Sequence, residues 1–325
     1  MPDSPLIDRR ALVGLALAAA PAEALAQPTS AATDPDEIIY LWPSRPPGAP
    51  AILPAESVTD RVASSGFQDR YAERIGQPRL TVFRPSRPNG AAVLVIPGGA
   101  YVRVVIDKEG FETARRLADA GVTAFVLRYR LPAEGWADGP NVPLQDAQRA
   151  IRLIRAGAGR FGVDPRRVAV MGFSAGGHVA AALCTRHAAQ VYPPAEPADA
   201  LDARPDLAAL IYPVIDMSPP NAHVGSREKL LGRTPTAAQE AAYSPHRHVN
   251  PATPPTFLVH ALDDAAVPVA NSLAYLAALL AAQVPAEAHL FEVGGHGFGI
   301  RLADGKPAAA WPELFLAWAR SHSLF

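Results

Sequence analysis

Val168-Ala169-Val170-Met171-Gly172-Phe173-Ser174-Ala175-Gly176-Gly177 carries a short apolar run straight into a G-x-S-x-G turn. Val168–Met171 has the composition of a strand covered on both faces, and Gly176–His187 is alanine-rich and of helical length. Ser174 therefore falls at a strand-to-helix corner. Glycines on either side let the two elements approach closely and leave the hydroxyl exposed. The pattern alone is weak, because glycine and serine also make ordinary turns and serine caps ordinary helices. Its place after a strand and before a helix is what gives it weight.

The same alternation extends in both directions. Further strands are expected at Ile38–Trp42, Leu80–Arg84, Ala92–Ile96, Thr123–Leu127, Ala208–Tyr212, Thr256–His260 and Ala288–Glu292. Helix-length segments lie between them at Glu109–Ala120, Leu144–Arg160, Val269–Ala282 and Trp311–Ser321, with Gly121 placed to end the first. This β-α-β-α rhythm predicts an α/β fold, with a mostly parallel central sheet flanked by helices. Asp216 to Pro254 breaks the rhythm and reads as a small insertion near 216–254, suited to a lid rather than a second domain. No repeat of solenoid length is present.

With 49% hydrophobic residues in 325, the chain can bury an ample core without a disulfide or metal staple. Cys184 has no partner for an internal bridge, and one thiol does not make a metal site. It reads as a small buried residue on a helix. Thirty basic residues face 31 acidic ones, so no electropositive surplus exists to hold nucleic acid or an anionic membrane.

Residues 1–26 stand apart. Arg9 and Arg10 precede an uncharged run from Ala11 to Ala22, and Ala24-Leu25-Ala26 supplies a cleavage signal before Gln27. That outline predicts a secretory leader, and the adjacent arginines point to the twin-arginine export machinery. The run is too short for stable membrane insertion. A periplasmic or secreted protein is expected, with a proline-rich extended lead-in over 27–60 and the functional domain over 61–325.

A serine hydroxyl needs a base to act as a nucleophile. Among nine histidines, His296 lies in the glycine-dense Gly294-Gly295-His296-Gly297-Phe298-Gly299, after the last expected strand. His178 is one helical turn from Ser174 and reads as structural, while His246 and His248 sit in the insertion. The orienting acid is expected between serine and histidine in chain order, at a strand end. Asp263-Asp264 follows Thr256–His260, and Asp264 is preferred, with Asp263 the alternative. Adjacent side chains diverge, so one can reach the imidazole while the other caps a turn. Acyl transfer also needs oxyanion donors. The Ala175 amide, next to the nucleophile, and the Gly99–Ala100 segment, in the loop after Ala92–Ile96, fit that need.

Taken together, Ile96-Pro97-Gly98-Gly99-Ala100-Tyr101, Asp107-Lys108-Glu109-Gly110, Gly172–His178, the Asp263-Asp264 to Val267-Pro268 run with Asn271-Ser272, and Gly294–Phe298 resemble α/β-hydrolase-fold serine esterases. The likeness is to the bacterial acetyl esterase and acetylxylan-esterase-like group, over roughly residues 80 to 320. It implies a catalytic Ser174, Asp264 and His296, an oxyanion hole from Ala175, Gly99 and Ala100, and no metal or organic cofactor. The implied substrate is a small ester or acetylated carbohydrate. Many lipase-like relatives carry His-Gly-Gly-Gly in the oxyanion loop, where this chain has Pro97 and Ala100; proline cannot donate, and alanine favours a small acyl group. Tyr101, Arg103, Tyr243 and His246 are the candidates for a substrate-binding rim. The rival readings are a peptidase of the same fold and a non-catalytic binding protein built on it.

Overall fold

Every residue of Ala92–Ile96 and of Val168–Phe173 is buried, so these valine-rich runs have helices on both faces of the sheet they form. The computed structural model describes residues 34–325; the expected leader at 1–26, and residues 27–33 of the lead-in, lie outside the described residues. In chain order the strands are β1 (Ile38–Tyr40), β2 (Ser57–Asp60), β3 (Arg70–Glu73), β4 (Arg79–Phe83), β5 (Ala92–Ile96) and β6 (Val104–Val105). They continue as β7 (Thr123–Arg128), β8 (Val168–Phe173), β9 (Ala208–Ile211), β10 (Thr256–Ala261) and β11 (Ala286–Phe291).

Eight of them form one sheet in the order β1-β4-β7-β5-β8-β9-β10-β11. Strands β7, β5, β8, β9, β10 and β11 are parallel, and β4 runs antiparallel to both β1 and β7. The register sets Ile96 beside Gly172, Phe173 beside Ile211, Ile211 beside Val259 and Ala261 beside Phe291. The loops after β5, β8, β9, β10 and β11 therefore leave the same sheet edge as neighbours, with the one after β7 beyond them. Their leading residues are Pro97, Ser174, Tyr212, Leu262 and Glu292.

The lead-in is more structured than its proline content suggests. Ile38–Tyr40 is the edge strand of the main sheet, and Ser57–Asp60 belongs to a small antiparallel sheet, β2-β3-β6, which the sequence reading did not anticipate. That small sheet matters to function because β6 directly follows the loop after β5, and Tyr71↔Val105 and Ala72↔Val104 pin it. The helix expected at Glu109–Ala120 opens instead as a π-helical turn, Ile106–Phe111, and becomes α-helical over Glu112–Asp119. The wider turn buries Asp107 and Glu109.

At the end of β7, Arg130 and Asp146 are both fully buried, with Arg130 Nη2 2.8 Å from Asp146 Oδ1. Arg130 N and Trp42 Nε1 also donate to this carboxylate, each at 2.9 Å. Removing one partner of such a pair leaves an uncompensated buried charge. Asp146→Ala is therefore expected to cost about 3–5 kcal/mol, read as a lowered urea midpoint at unchanged slope.

The expected insertion carries the helices Val224–Leu231 and Ala237–Ala242 and the 3₁₀ turn Pro245–His248. It is tied to the body at both ends. Asn271 Oδ1 accepts the amides of Ile215 and Asp216 at 2.8 Å, and the Tyr243 carbonyl lies 2.7 Å from His178 Nε2. Among the described residues, no helix is long and apolar enough to cross a membrane.

Candidate active site

Ser174 is the first residue of the helix Ser174–Arg186 and has φ of 51°, in the left-handed region that a non-glycine residue enters only at a cost. Packing enforces it. A Cβ on Gly176 would stand 2.1 Å from the Ile96 carbonyl oxygen, and one on Gly172 would stand 2.4 Å from that of Gly176. Strand and helix thus touch backbone to backbone, and the serine stands at their corner, 6% exposed rather than open to solvent as the sequence pattern suggests. Only glycine permits that approach.

The three residues read from the sequence meet at the sheet edge. Ser174 Oγ lies 2.8 Å from His296 Nε2, and His296 Nδ1 lies 2.7 Å from Asp264 Oδ2. The carboxylate can only accept, so Nδ1 carries the proton and Nε2 is left to accept from the hydroxyl. The Asp264 side chain is fully buried, and its Oδ1 accepts the amides of Ala266 and Val267 at 2.9 Å each. Burial alone would raise its pKa. Hydrogen bonds from His260 and His296, with the charge of His296, outweigh that and hold the carboxyl well below its usual range. Asp263 takes the other duty: its Oδ1 accepts the amides of Gly294 and Gly295 at 2.9 and 2.7 Å, fixing the start of the histidine loop.

The loop from Pro97 to Arg103 runs alongside. Gly99, Ala100 and Tyr101 have positive φ values of 131°, 57° and 59°, which turns the backbone sharply after β5. The Gly98 amide is occupied, donating to Glu109 Oε2 at 2.7 Å. The amides of Gly99 and Ala100 donate to no other described residue. Ala175 lies in the first turn of its helix, where an amide has no carbonyl four residues back to receive it. These are free donors of the kind an oxyanion needs.

The rim candidates fare differently. Tyr101 is a core residue, only 2% exposed, because its left-handed backbone turns the ring inward, where its hydroxyl lies 2.6 Å from His178 Nδ1. Burial pushes His178 down to about 4, so it is neutral and accepts from Tyr101 while donating to Tyr243. Arg103 is half-buried, with its guanidinium 4.7 Å from the centre of the Tyr71 ring. Tyr243 is half-buried beneath Arg186, and the half-buried His246 has a buried Nδ1 with no hydrogen-bond partner among the described residues.

Three residues of the neighbourhood were not singled out for it by the sequence. His260 Nε2 lies 2.9 Å from Val267 O and 3.3 Å from Asp264 Oδ2, so this nitrogen carries a proton and braces the acid. Tyr212, at the end of β9, packs edge-on against the His296 ring with centroids 5.1 Å apart. Glu109, buried in the π-helical turn, reaches both the Gly98 amide and, at 3.2 Å, the Tyr212 hydroxyl. Tyr212 had one legible signal, its place at the carboxyl end of an expected strand.

The BD-FAE family model matches residues 80–279. Over 228 residues the chain is 31% identical to an acetylxylan esterase of Xylanibacter ruminicola, covering 69% of this chain and 44% of that protein. Over 227 residues it is 35% identical to endo-1,4-beta-xylanase B of Butyrivibrio fibrisolvens, covering 70% of this chain and 34% of that one. The chain thus spans less than half the length of either relative. Among solved structures, it is similar to an acetyl ester-xyloside bifunctional hydrolase from Caldicellulosiruptor lactoaceticus, with a TM-score of 0.72 and 32% identity. That match covers 91% of this chain and 100% of the other.

Proposed function

The chain belongs to the BD-FAE family, in the acetylxylan-esterase-like group of α/β-hydrolase esterases, and from that premise we propose that it is a serine esterase removing acetyl or other short acyl groups from carbohydrate hydroxyls. The observation that carries the reading is the unbroken hydrogen-bond chain from Ser174 through His296 to Asp264. Ser174 Oγ attacks the ester carbonyl as His296 Nε2 takes its proton. Asp264 holds the imidazole in the productive tautomer and stabilises the imidazolium without itself being protonated. The oxyanion faces the amides of Ala175 and of Gly99 and Ala100. His296 then returns the proton to the departing alcohol. Water, deprotonated by the same imidazole, releases the acid and regenerates Ser174.

The preference for a small acyl group rests on Ala100, whose methyl stands where many lipase-like relatives have glycine. An acetylated plant polysaccharide such as xylan is the substrate class that the names of the relatives favour. Export to the periplasm or beyond is supported by Arg9-Arg10, the apolar run after them and Ala24-Leu25-Ala26.

The test is hydrolysis of p-nitrophenyl acetate, butyrate and octanoate, followed by acetate release from acetylated xylan. Acetate is expected to exceed octanoate in kcat/KM by about tenfold or more, the scale on which a pocket discriminates chain length. A folded wild-type protein inert on every ester would move the assignment to a peptidase or a binding role.

A further inference from the structure

We propose that Glu109 is a positioning residue of this site, a second buried carboxylate that locks the oxyanion loop to the histidine loop. The inference rests on the serine-esterase reading and adds to it a residue outside the Ser-His-Asp set.

Glu109 is 3% exposed and reaches two separate loops. Its Oε2 accepts the Gly98 amide at 2.7 Å. Its Oε1 accepts from the Tyr212 hydroxyl at 3.2 Å, and that hydroxyl in turn accepts the Gly299 amide at 3.0 Å. One carboxylate therefore connects the loop after β5 to the loop after β11 through a single tyrosine. Tyr212 is itself held in an unusual backbone conformation, φ of 38°, with its ring against both His296 and Phe298.

The carboxylate is also close to the reacting atoms. A Cβ placed on Gly98 would be 2.8 Å from Ser174 Cβ and 3.0 Å from Glu109 Oε2, so nucleophile and carboxylate border the same small space. A Cβ placed on Gly297 would be 3.8 Å from Glu109 Oε1 and 3.4 Å from Lys108 Nζ. The π-helical turn thus lies directly under the residue that follows His296. Because Glu109 consumes the Gly98 amide, the free donors of the oxyanion loop lie beyond it, from Gly99 onward. That selection fixes which part of the loop turns toward the ester.

His296 is faced by charged and titratable groups from several elements. They are Asp264 beyond β10, Asp263 under its own loop, His223 from the insertion, Tyr212 from β9, and Lys108 with Glu109 from the π-helical turn. Changing Glu109 to glutamine removes one negative charge from this set and keeps an oxygen that can accept from Gly98. Changing it to alanine removes both.

The experiment compares Glu109→Gln, Glu109→Ala and Tyr212→Phe with wild type on p-nitrophenyl acetate across pH 5 to 9, with urea unfolding of each. Glu109→Ala is expected to lose about 100-fold in kcat with little change in KM, the scale of a misplaced catalytic group. Glu109→Gln, which keeps an acceptor for the Gly98 amide, should recover most of that loss. Amide exchange should accelerate together in 97–103 and 294–300 in Glu109→Ala and in the Tyr212→Phe variant. A folded Glu109→Ala with kcat within twofold of wild type would overturn the proposal. So would a folded Tyr212→Phe variant whose 97–103 and 294–300 amides exchange at the wild-type rate, which remains readable if the alanine variant fails to fold. The exchange measurement needs no turnover: coupled exchange in a protein inert toward esters would sink the esterase reading and leave the coupling of the loops standing.

Discussion

Replacing Ser174 by alanine is expected to lower kcat on p-nitrophenyl acetate by about 10⁴- to 10⁶-fold while leaving the fold intact. The size follows from what the hydroxyl does. Without Oγ no acyl-enzyme forms, and the remaining rate comes from water activated by His296 and from the amides that face the oxyanion. The loss should fall in kcat, since the serine contributes little to ground-state binding. Stability should move the other way. Ser174 occupies the left-handed region, so Ser174→Gly relieves backbone strain that alanine retains. Offset by the added freedom of a glycine in the unfolded chain, the gain should be about 1 kcal/mol at most. An inactive variant that is at least as stable as wild type is the signature of a strained nucleophile. Equal activity in Ser174→Ala and wild type would remove Ser174 from the mechanism, whatever else the site does.

The parts of this molecule that were legible in the sequence share a physical cause. β5 is found at its expected limits, Ala92–Ile96, and β8 extends its expected run by two residues to Phe173, because a strand buried on both faces must be continuously apolar. Ser174 was readable because it stands where the apolar run of β8 stops at the sheet edge, and Asp264 and His296 because each lies in the loop that follows a later expected strand. The two adjacent aspartates divide as diverging neighbours should, one to the imidazole and the other to the start of the histidine loop. What escaped reading lacked such a marker. β2 has all four residues exposed and β6 is only two residues long, so the small sheet has no alternation of burial to announce it. The pairing of β3 with β6 joins segments more than thirty residues apart. Tyr101 looked like a rim residue because it follows the oxyanion segment; two successive left-handed residues turn it inward instead. Glu109 lies in a segment shared with the resembled esterases, but its burial depends on a π-helical turn, and its partners Gly98 and Tyr212 are 11 and 103 residues away in sequence. A charge in a polar-looking tetrapeptide reads as solvated until its surroundings are known.

Asp264→Asn is the other substitution with a large expected effect, about 10⁴-fold in kcat at neutral pH. The loss comes from geometry of donors rather than from charge alone. Asp264 accepts from His296 Nδ1 and from the amides of Ala266 and Val267, and it also lies 3.3 Å from the protonated His260 Nε2. A carboxylate satisfies all of these because both oxygens only accept. Asparagine has one oxygen. If that oxygen serves the two amides, its NH₂ meets His296 and His260, and the NH₂ favours the tautomer with the proton on Nε2. That nitrogen then cannot take the proton of Ser174. Stability should change with a defined sign. The folded pKa of Asp264 is depressed, so the ionised form stabilises the native state at pH above the ordinary carboxylate range, about 4. This contribution is lost as pH falls through the folded pKa. Wild type should therefore lose stability on acidification below about pH 4, and Asp264→Asn should show a shallower loss over the same interval. Two measurements are needed: kcat at pH 7 to 8, and urea midpoints from pH 7 down to 3. A full-rate Asn variant would show that His296 holds its tautomer without this carboxylate. An unchanged acid slope would show that Asp264 is not ionised more readily in the folded protein than in the unfolded chain.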